Sequence, residues 1–406
     1  MTTPDDINRF TPIERRSAFA LSSIFALRML GLFLILPVFA VYAQHLEGGE
    51  SAFAVGLTLG IYGLTQGCLQ IPFGVASDRW GRKPVIAVGL LIFAVGSFAA
   101  ALGDSVWTVM AGRALQGAGA VSAAVTAMIS DSVRDRVLTK AMAIVGSSIG
   151  LTFALSLVLS PILAHHIGVS GLFALTGLLS LTAVGVILWV VPEVAPPHRA
   201  ARGEAPQPWQ NTVLHPQLLR LNAGIFTLHC VQMALFVVMP LELKQAGLAP
   251  DQHWMIYLPT VALSFVFLLP LLSKAERTGK MKTLFIGAVM LLAGVFAVLA
   301  AAKPELWGFA LLLFAFFCGF NVLEAMLPSF VSRMAPAAAK GLALGVYNTT
   351  QSLGLFAGGA LGGWLSQIGG HEAVFLFCLA ALLFWGLLAR GMKTPASHKT
   401  GEAVTV

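Results

Sequence analysis

The chain has 406 residues, 57% of them apolar and only 11% charged, with a mean hydropathy of +0.83 and a formal net charge of +7. Soluble domains run at roughly 45–50% apolar and about 25% charged, so a wholly water-facing surface is excluded and much of the exterior must face lipid. The positive charge builds no basic domain. It sits in short clusters between apolar runs, which suits an anionic membrane leaflet and gives no reason to expect a nucleic-acid partner.

At the N-terminus, Arg15 and Arg16 precede an apolar stretch with small residues at Ala40 and Ala43. That mimics a signal peptide, but the stretch runs from Ser17 to Ala43, too long for a signal core. It predicts a first membrane helix. Crossing the hydrocarbon takes roughly 20 apolar residues in a helix, and twelve such runs follow in order: 17–43, 53–77, 84–103, 106–130, 139–164, 170–192, 217–243, 253–273, 281–301, 305–331, 339–365 and 371–392. Barrel strands would be short and alternating. The expectation is therefore an all-α integral membrane protein of twelve transmembrane helices.

Lys and Arg set the orientation. With both termini cytoplasmic, inside segments hold 21 of the 25 basic residues, outside loops hold Lys244 and Lys303, and Arg28 and Arg113 fall inside runs. The longest polar stretch, 193–216, carries Pro196, Pro197, Pro206, Pro208 and Pro216 and reads as a cytoplasmic linker. The predicted organisation is a segment 1–16, a six-helix bundle 17–192, the linker, a second bundle 217–393 and a tail 394–406. The halves also repeat each other. Leu32–Pro37 (LFLILP) matches Leu235–Pro240 (LFVVMP), Lys140-Ala-Met-Ala matches Lys340-Gly-Leu-Ala, and Asp78-Arg79-Trp80-Gly81-Arg82 has an echo in Glu276-Arg277-Thr278-Gly279-Lys280, at offsets of 203, 200 and 198. Such parallel repeats build two bundles around a site near the membrane midplane.

Several residues carry chemistry. Arg28 in the first run and Arg113 in the fourth are costly in lipid unless they face the bundle interior, and the alternative for Arg113 is to snorkel to the interface. Gln116 lies three residues after Arg113, on the same helix face. Glu324 is the one carboxylate well inside a run, within Phe320-Asn321-Val-Leu-Glu324. It could load a proton or form an ion pair, with Arg28 as a partner. Gln66, Gln70, Asn222, His229, Gln232, Asn321, Asn348 and Gln351 could line a cavity or form interhelical hydrogen bonds. Cys68, Cys230, Cys318 and Cys378 lack CxxC spacing, so neither metal nor disulfide is expected. No nucleophile–base pair or phosphate loop points to an enzyme.

The loop after the second run, Gly74-Val-Ala-Ser-Asp78-Arg79-Trp-Gly81-Arg82-Lys83-Pro84, resembles the GxxxDRxGRK signature of the major facilitator superfamily at every defining position. Gly112-Arg113-Ala-Leu-Gln116-Gly117-Ala-Gly119 resembles its RxxQGxG signature. The resemblance covers residues 17–392 and implies a secondary transporter working by alternating access. It also implies a cytoplasmic latch, in which Asp78 approaches the start of the eleventh helix at Lys340–Gly341 while Arg82 pairs with Asp131, holding the outward-facing state closed. Arg113 would serve in proton coupling or substrate contact. Ala26-Leu-Arg28-Met-Leu-Gly31, Gly60-Ile-Tyr62-Gly63-Leu-Thr65-Gln66 and the segment Asn321–Ser329 resemble the YajR-type transporters. That implies a proton-driven inner-membrane exporter of drug-like or amphipathic small molecules, a monomer driven by the proton gradient without a cofactor. Two departures stand out. Ser156-Leu-Val-Leu-Ser160-Pro161 replaces the antiporter pattern GxxxGPxxGG, which leaves a proton symporter or uniporter open, with a non-transporting sensor more remote. Only about a dozen polar residues follow Met392, so regulation by an appended soluble domain is expected to be absent.

Overall fold

The computed structural model describes residues 10–193, 209–336 and 339–393. Residues 1–9, residues 194–208 of the predicted linker and the whole tail 394–406 lie outside them. Among the described residues the chain is helical without a strand; an isolated bridge joins Glu47 and Ser105. Lipid offers a backbone amide no partner, so a crossing segment has to satisfy its own hydrogen bonds, as a helix does.

Helix α1 (Pro12–Phe33) opens at Thr11, whose hydroxyl accepts from the Glu14 amide while Glu14 returns the bond to the Thr11 amide. This reciprocal cap satisfies two donors that the first turn leaves free. A short break before Pro37 separates α1 from α2 (Leu36–Ala43). Helix α3 (Ala52–Trp80) ends at Gly81, with φ 94°, and α4 (Arg82–Ala101) leaves from it. The predicted run 106–130 is two pieces, α5 (Val106–Ala118) and α6 (Ser122–Ser132), interrupted at Gly119–Val121. Helix α7 (Asp135–Gly185) continues as a π-helical turn, Val186–Val190.

After the short α8 (Trp209–Val213) come α9 (Pro216–Gln245), α10 (Trp254–Arg277), α11 (Met281–Ala301), α12 (Leu306–Met334) and α13 (Lys340–Arg390). Nine helical stretches among the described residues are long and apolar enough to cross a membrane. Two of them, α7 and α13, are 51 residues each; as an unbroken rod each would measure about 76 Å, more than twice the hydrocarbon thickness. Each is broken in its middle by a glycine, Gly168 at φ 70° and Gly370 at φ 68°.

The duplication shows in the backbone. All six described residues with positive φ are glycines, and they fall into three pairs: Gly48 and Gly247, Gly81 and Gly279, Gly168 and Gly370. The pairs are separated by 199, 198 and 202 residues, the same interval as the sequence matches. Packing follows the halves. Helix α1 lies on α7, α4 on α5 and α7, and α3 on α5; beyond the linker, α9 and α11 lie on α13, and α10 and α11 on α12. Between these groups, α3 meets α13, α7 meets α10, and α2 meets α9.

The α3–α13 contact is backbone against backbone. A Cβ on Gly56 would lie 2.3 Å from the Gly359 carbonyl oxygen, one on Gly60 2.7 Å from that of Phe356, and one on Gly63 2.3 Å from that of Ser352. Residues 352, 356, 359 and 363 form one face of α13, and Gly345 and Gly341 continue it. Yet a Cβ at either of those two would meet nothing within 4 Å. The two helices thus touch at the end near Ser51 and part toward the end bearing Asp78. The touching end is also tied by side chains: Ser51 Oγ and the Phe53 amide donate to Gln367 Oε1 at 3.0 and 3.1 Å, and Lys244 Nζ donates to Gln44 Oε1 at 3.1 Å.

Gly56→Ala places a methyl where no space exists. Overpacking of this kind costs about 1–3 kcal/mol, enough to shift a two-state equilibrium by roughly 5- to 150-fold. Spin labels at positions 52 and 367 are expected to move apart in the variant; an unchanged distance distribution would show that the glycine contact does not hold this end shut.

Candidate functional site

Three clusters collect the residues singled out by sequence. The first lies where α3, α4 and α6 end or begin. Arg82, 15% exposed at its side chain, contacts Asp78 Oδ1 at 2.7 Å through NH1 and Asp131 Oδ2 at 3.0 Å through Nε. Its NH1 also donates to Ser77 Oγ at 2.6 Å. Gly81 makes this possible: with φ 94° it turns the chain so that α4 starts with Arg82 beside the last turn of α3. Lys83 Nζ donates to the Val191 carbonyl at 2.7 Å, Arg79 and Trp80 are exposed, and a Cβ on Gly74 would meet Ala123 at 3.7 Å.

Beside this cluster is an ion pair the sequence reading missed. Glu14, buried in the first turn of α1, accepts from Arg134 Nε at 2.7 Å, Arg134 NH2 at 3.0 Å and the Arg134 amide at 2.9 Å. The spacing Thr11-Pro-Ile-Glu14 was the available signal, since a capping box draws the glutamate back toward its own helix start.

The second cluster lies among α1, α3, α5 and α6. Arg28 NH1 donates to Ser122 Oγ at 2.7 Å and NH2 to the Tyr62 hydroxyl at 2.6 Å. Arg113 donates through NH1 to Gln116 Oε1 at 3.2 Å and through NH2 to the Leu59 carbonyl at 3.1 Å. Gln116 Nε2 passes the chain on to Ser97 Oγ at 2.8 Å. The Tyr62 ring sits between the guanidiniums, its centroid 5.8 Å from Arg28 Cζ and 5.2 Å from Arg113 Cζ. Both arginines are 1% exposed, so Arg113 does not snorkel. Among the described residues no carboxylate pairs with either. Tyr62 joins both cations and was not among the expected site residues; its place in Gly60-Ile-Tyr62-Gly63 was the signal.

The third cluster lies among α9, α12 and α13. Glu324 does not pair with Arg28. Its Oε2 lies 3.8 Å from His229 Nε2 and finds no hydrogen-bond partner among the described residues. His229 Nε2 is 2.7 Å from Gln351 Nε2 and its Nδ1 3.3 Å from the Ile225 carbonyl. With the amide donating to Nε2, the ring is neutral and carries its proton on Nδ1. Phe320 packs on the imidazole at 5.9 Å between ring centres. Asn321 instead donates to Ser264 Oγ on α10 at 2.8 Å. Of the remaining cavity candidates, Gln66 and Gln70 on α3 and Asn222 and Gln232 on α9 are buried, each with at least one amide atom unpartnered among the described residues, and Asn348 is half-buried. The structure does not draw them into one hydrogen-bonded group.

The sequence matches the Major Facilitator Superfamily over residues 21–359 and 275–404. It is 43% identical to the inner membrane transport protein YajR of Escherichia coli (strain K12), over 95% of this chain and 85% of that one. It is 31% identical to the uncharacterized transporter BU466 of Buchnera aphidicola subsp. Acyrthosiphon pisum (strain APS), over 85% of this chain and 89% of that one. Among solved structures, the human organic anion transporter MFSD10 (TETRAN) superposes with a TM-score of 0.68 at 19% identity, covering 93% of this chain and all of that one, which speaks for the fold. With the family matched across the span that holds the arginine-bearing loop and both buried charge clusters, the chain belongs to the major facilitator superfamily, a family of membrane transporters and not of enzymes.

Proposed function

We propose that this transporter is a proton-coupled exporter of the inner membrane that exchanges protons for small amphipathic or drug-like molecules by alternating access. The observation that carries the proton coupling is Glu324: a carboxylate oxygen without a hydrogen-bond partner among the described residues, 3.8 Å from an imidazole nitrogen. Such a group binds or releases a proton at a large change in local electrostatics, which is what a coupling site requires. The relative named for the inner membrane supports the location.

In this reading the chain crosses twelve times, with both termini in the cytoplasm and a monomer as the working unit. The count takes α1 with α2 and α5 with α6 as one crossing each and divides α7 at Gly168 and α13 at Gly370. The 21-to-2 distribution of basic residues puts the Asp78 end inside. The bundles 17–192 and 217–393 rock about the α3–α13 and α7–α10 contacts. Because α3 and α13 touch outside and part inside, the state described here opens to the cytoplasm. Protonation shifts the balance between states by binding one better than the other. Asp78, Arg82 and Asp131 act as the latch of the opposite, outward-facing state, and their mutual contacts persist here as the preassembled half of that latch.

A symporter is the second reading, favoured by the altered fifth run, where Ser160 Oγ donates to the Leu34 carbonyl at 2.5 Å and occupies the place of a flexible glycine. Flux in vesicles with imposed pH gradients of either sign separates the two: export of substrate driven by protons moving inward supports antiport, and co-directional movement overturns it.

Two substitutions test the residues. Glu324→Gln is expected to abolish pH-driven transport while the protein stays folded and inserted; retained coupling would remove Glu324 as the proton site. Asp78→Asn removes a half-exposed partner of Arg82, a contact of about 0.3–0.5 kcal/mol in an isolated helix. Because that contact is present in both states, it shifts nothing between them. The expected loss of the state closed at the cytoplasmic end, roughly two- to fivefold, comes from the carboxylate's contact with the α13 start, which only that state makes. Cysteine accessibility at both ends reads it, and an unchanged distribution with unchanged transport would refute the latch.

A further inference from the structure

We infer that the interruption between α5 and α6 holds a small monovalent anion, bound by Arg28, Arg113 and the free start of α6. Neither the transport direction nor the proton site at Glu324 enters this inference, which goes beyond the function proposed above.

Charge accounting leads to it. Arg28 and Arg113 are both 1% exposed, and Tyr62 lies against each of them. Their partners are a serine hydroxyl, a phenol, a carboxamide oxygen and a backbone carbonyl. These neutral acceptors satisfy hydrogen bonds but cancel no charge. A buried charge requires a counter-charge as well as hydrogen bonds. The one carboxylate well inside the predicted membrane runs, Glu324, faces His229 from the other half.

A third positive contribution comes from the backbone. Ser122, which accepts from Arg28, is the first residue of the eleven-residue α6, and no side chain caps that start. A helix start presents free N–H groups and the positive end of the helix dipole. Placing a guanidinium there, without an anion between, sets like against like. The arginines also keep donors in reserve: Nε of Arg28 and Nε of Arg113 are buried and have no hydrogen-bond partner among the described residues. An unpartnered Arg28 donor and an uncapped helix start therefore meet at one interruption in the chain, and the Tyr62 ring joins them to the unpartnered donor of Arg113. Interrupted membrane helices place their half-helix starts toward anions for this reason. The ligand class is a monovalent anion small enough to be desolvated, either a halide or the carboxylate of an organic molecule.

The test uses the full chain, purified in detergent in a sulfate buffer of fixed ionic strength. Sodium chloride, sodium bromide and sodium benzoate are titrated separately while the thermal unfolding midpoint is followed. A saturable rise of a few degrees is expected with chloride and bromide, with benzoate, or with both. Its apparent affinity should weaken roughly tenfold or more in Arg28→Gln and in Arg113→Gln. A response to the halides alone assigns an inorganic ion, and a response to benzoate alone assigns a carboxylate. No saturable response, or an affinity unchanged from that of the unmodified chain in either variant, overturns the inference. Should the variants fail to fold, crystals of the unmodified chain soaked in bromide or para-bromobenzoate decide. An anomalous peak within hydrogen-bond reach of either guanidinium supports the site; a peak elsewhere or none overturns it. A tyrosinate absorption band at neutral pH that vanishes in Tyr62→Phe would make the phenolate the counter-charge and also overturn it. Antiport can stand or fall without moving any of these readouts.

Discussion

The constraint on which everything else depends is that hydrocarbon offers no hydrogen-bond partner. Every amide that crosses must bond within the chain, so the chain is helical wherever it crosses, and each interruption of a helix is an event. Gly168 and Gly370 mark two of them, where one long helical stretch becomes two. The interruption at Gly119–Val121 differs, because it falls within one predicted crossing and leaves a helix start beside a buried cation. The interrupted backbone and the unneutralised charge occur at the same place, and each makes the other easier to explain.

The same low dielectric governs the ionisable side chains and shows how far the two halves have diverged. Their backbones still correspond, down to paired left-handed glycines. Their charges do not. At the interval of 203 residues that aligns the first and seventh runs, Arg28 corresponds to Val231, with His229 two residues before it; at intervals of 198 to 203, Glu324 falls on residues 121–126, none of them ionisable. One half therefore carries buried guanidiniums and the other a half-buried carboxylate beside a buried imidazole. A duplicated scaffold supplies the symmetry that rocking needs, while the chemistry in each half is its own.

Much of this was legible beforehand, and the reasons are physical. Run length reports membrane thickness directly, so the apolar stretches were readable. A three-residue interval on a helix fixes a shared face, so the Arg113–Gln116 contact was readable as well. What was not readable depends on how helices rotate against one another. The partner expected for Arg28 was a distant acid, and the structure supplies Tyr62 and Ser122 from two other helices. The tie between Glu14 and Arg134 spans 120 residues of chain. The altered fourth run escaped because Gly117, Gly119 and neighbouring small residues read equally well as close packing or as a break, and only the backbone angles distinguish the two. The glycines of the eleventh run were visible as a packing face, but their register against Gly56, Gly60 and Gly63 was not.

The two ends of the α3–α13 pair are governed by different physics, and this bears on how the states exchange. Near Ser51 the α3–α13 contact is backbone against glycine, with the neutral bonds of Ser51 and the Phe53 amide to Gln367 on it and the charged Lys244 set apart, at the α2–α9 contact. Closing it desolvates almost no charge and is largely indifferent to salt. Near Asp78 the groups are a guanidinium and two carboxylates, partly exposed at the end of the helices. Interactions between such charges fade over a Debye length of about 8 Å at physiological ionic strength. Ionic strength therefore acts mainly on the arginine-bearing end, and the glycine contact supplies a reference that it leaves in place. A carrier built this way can have one of its closed states tuned by the surrounding solution while the other is fixed by packing.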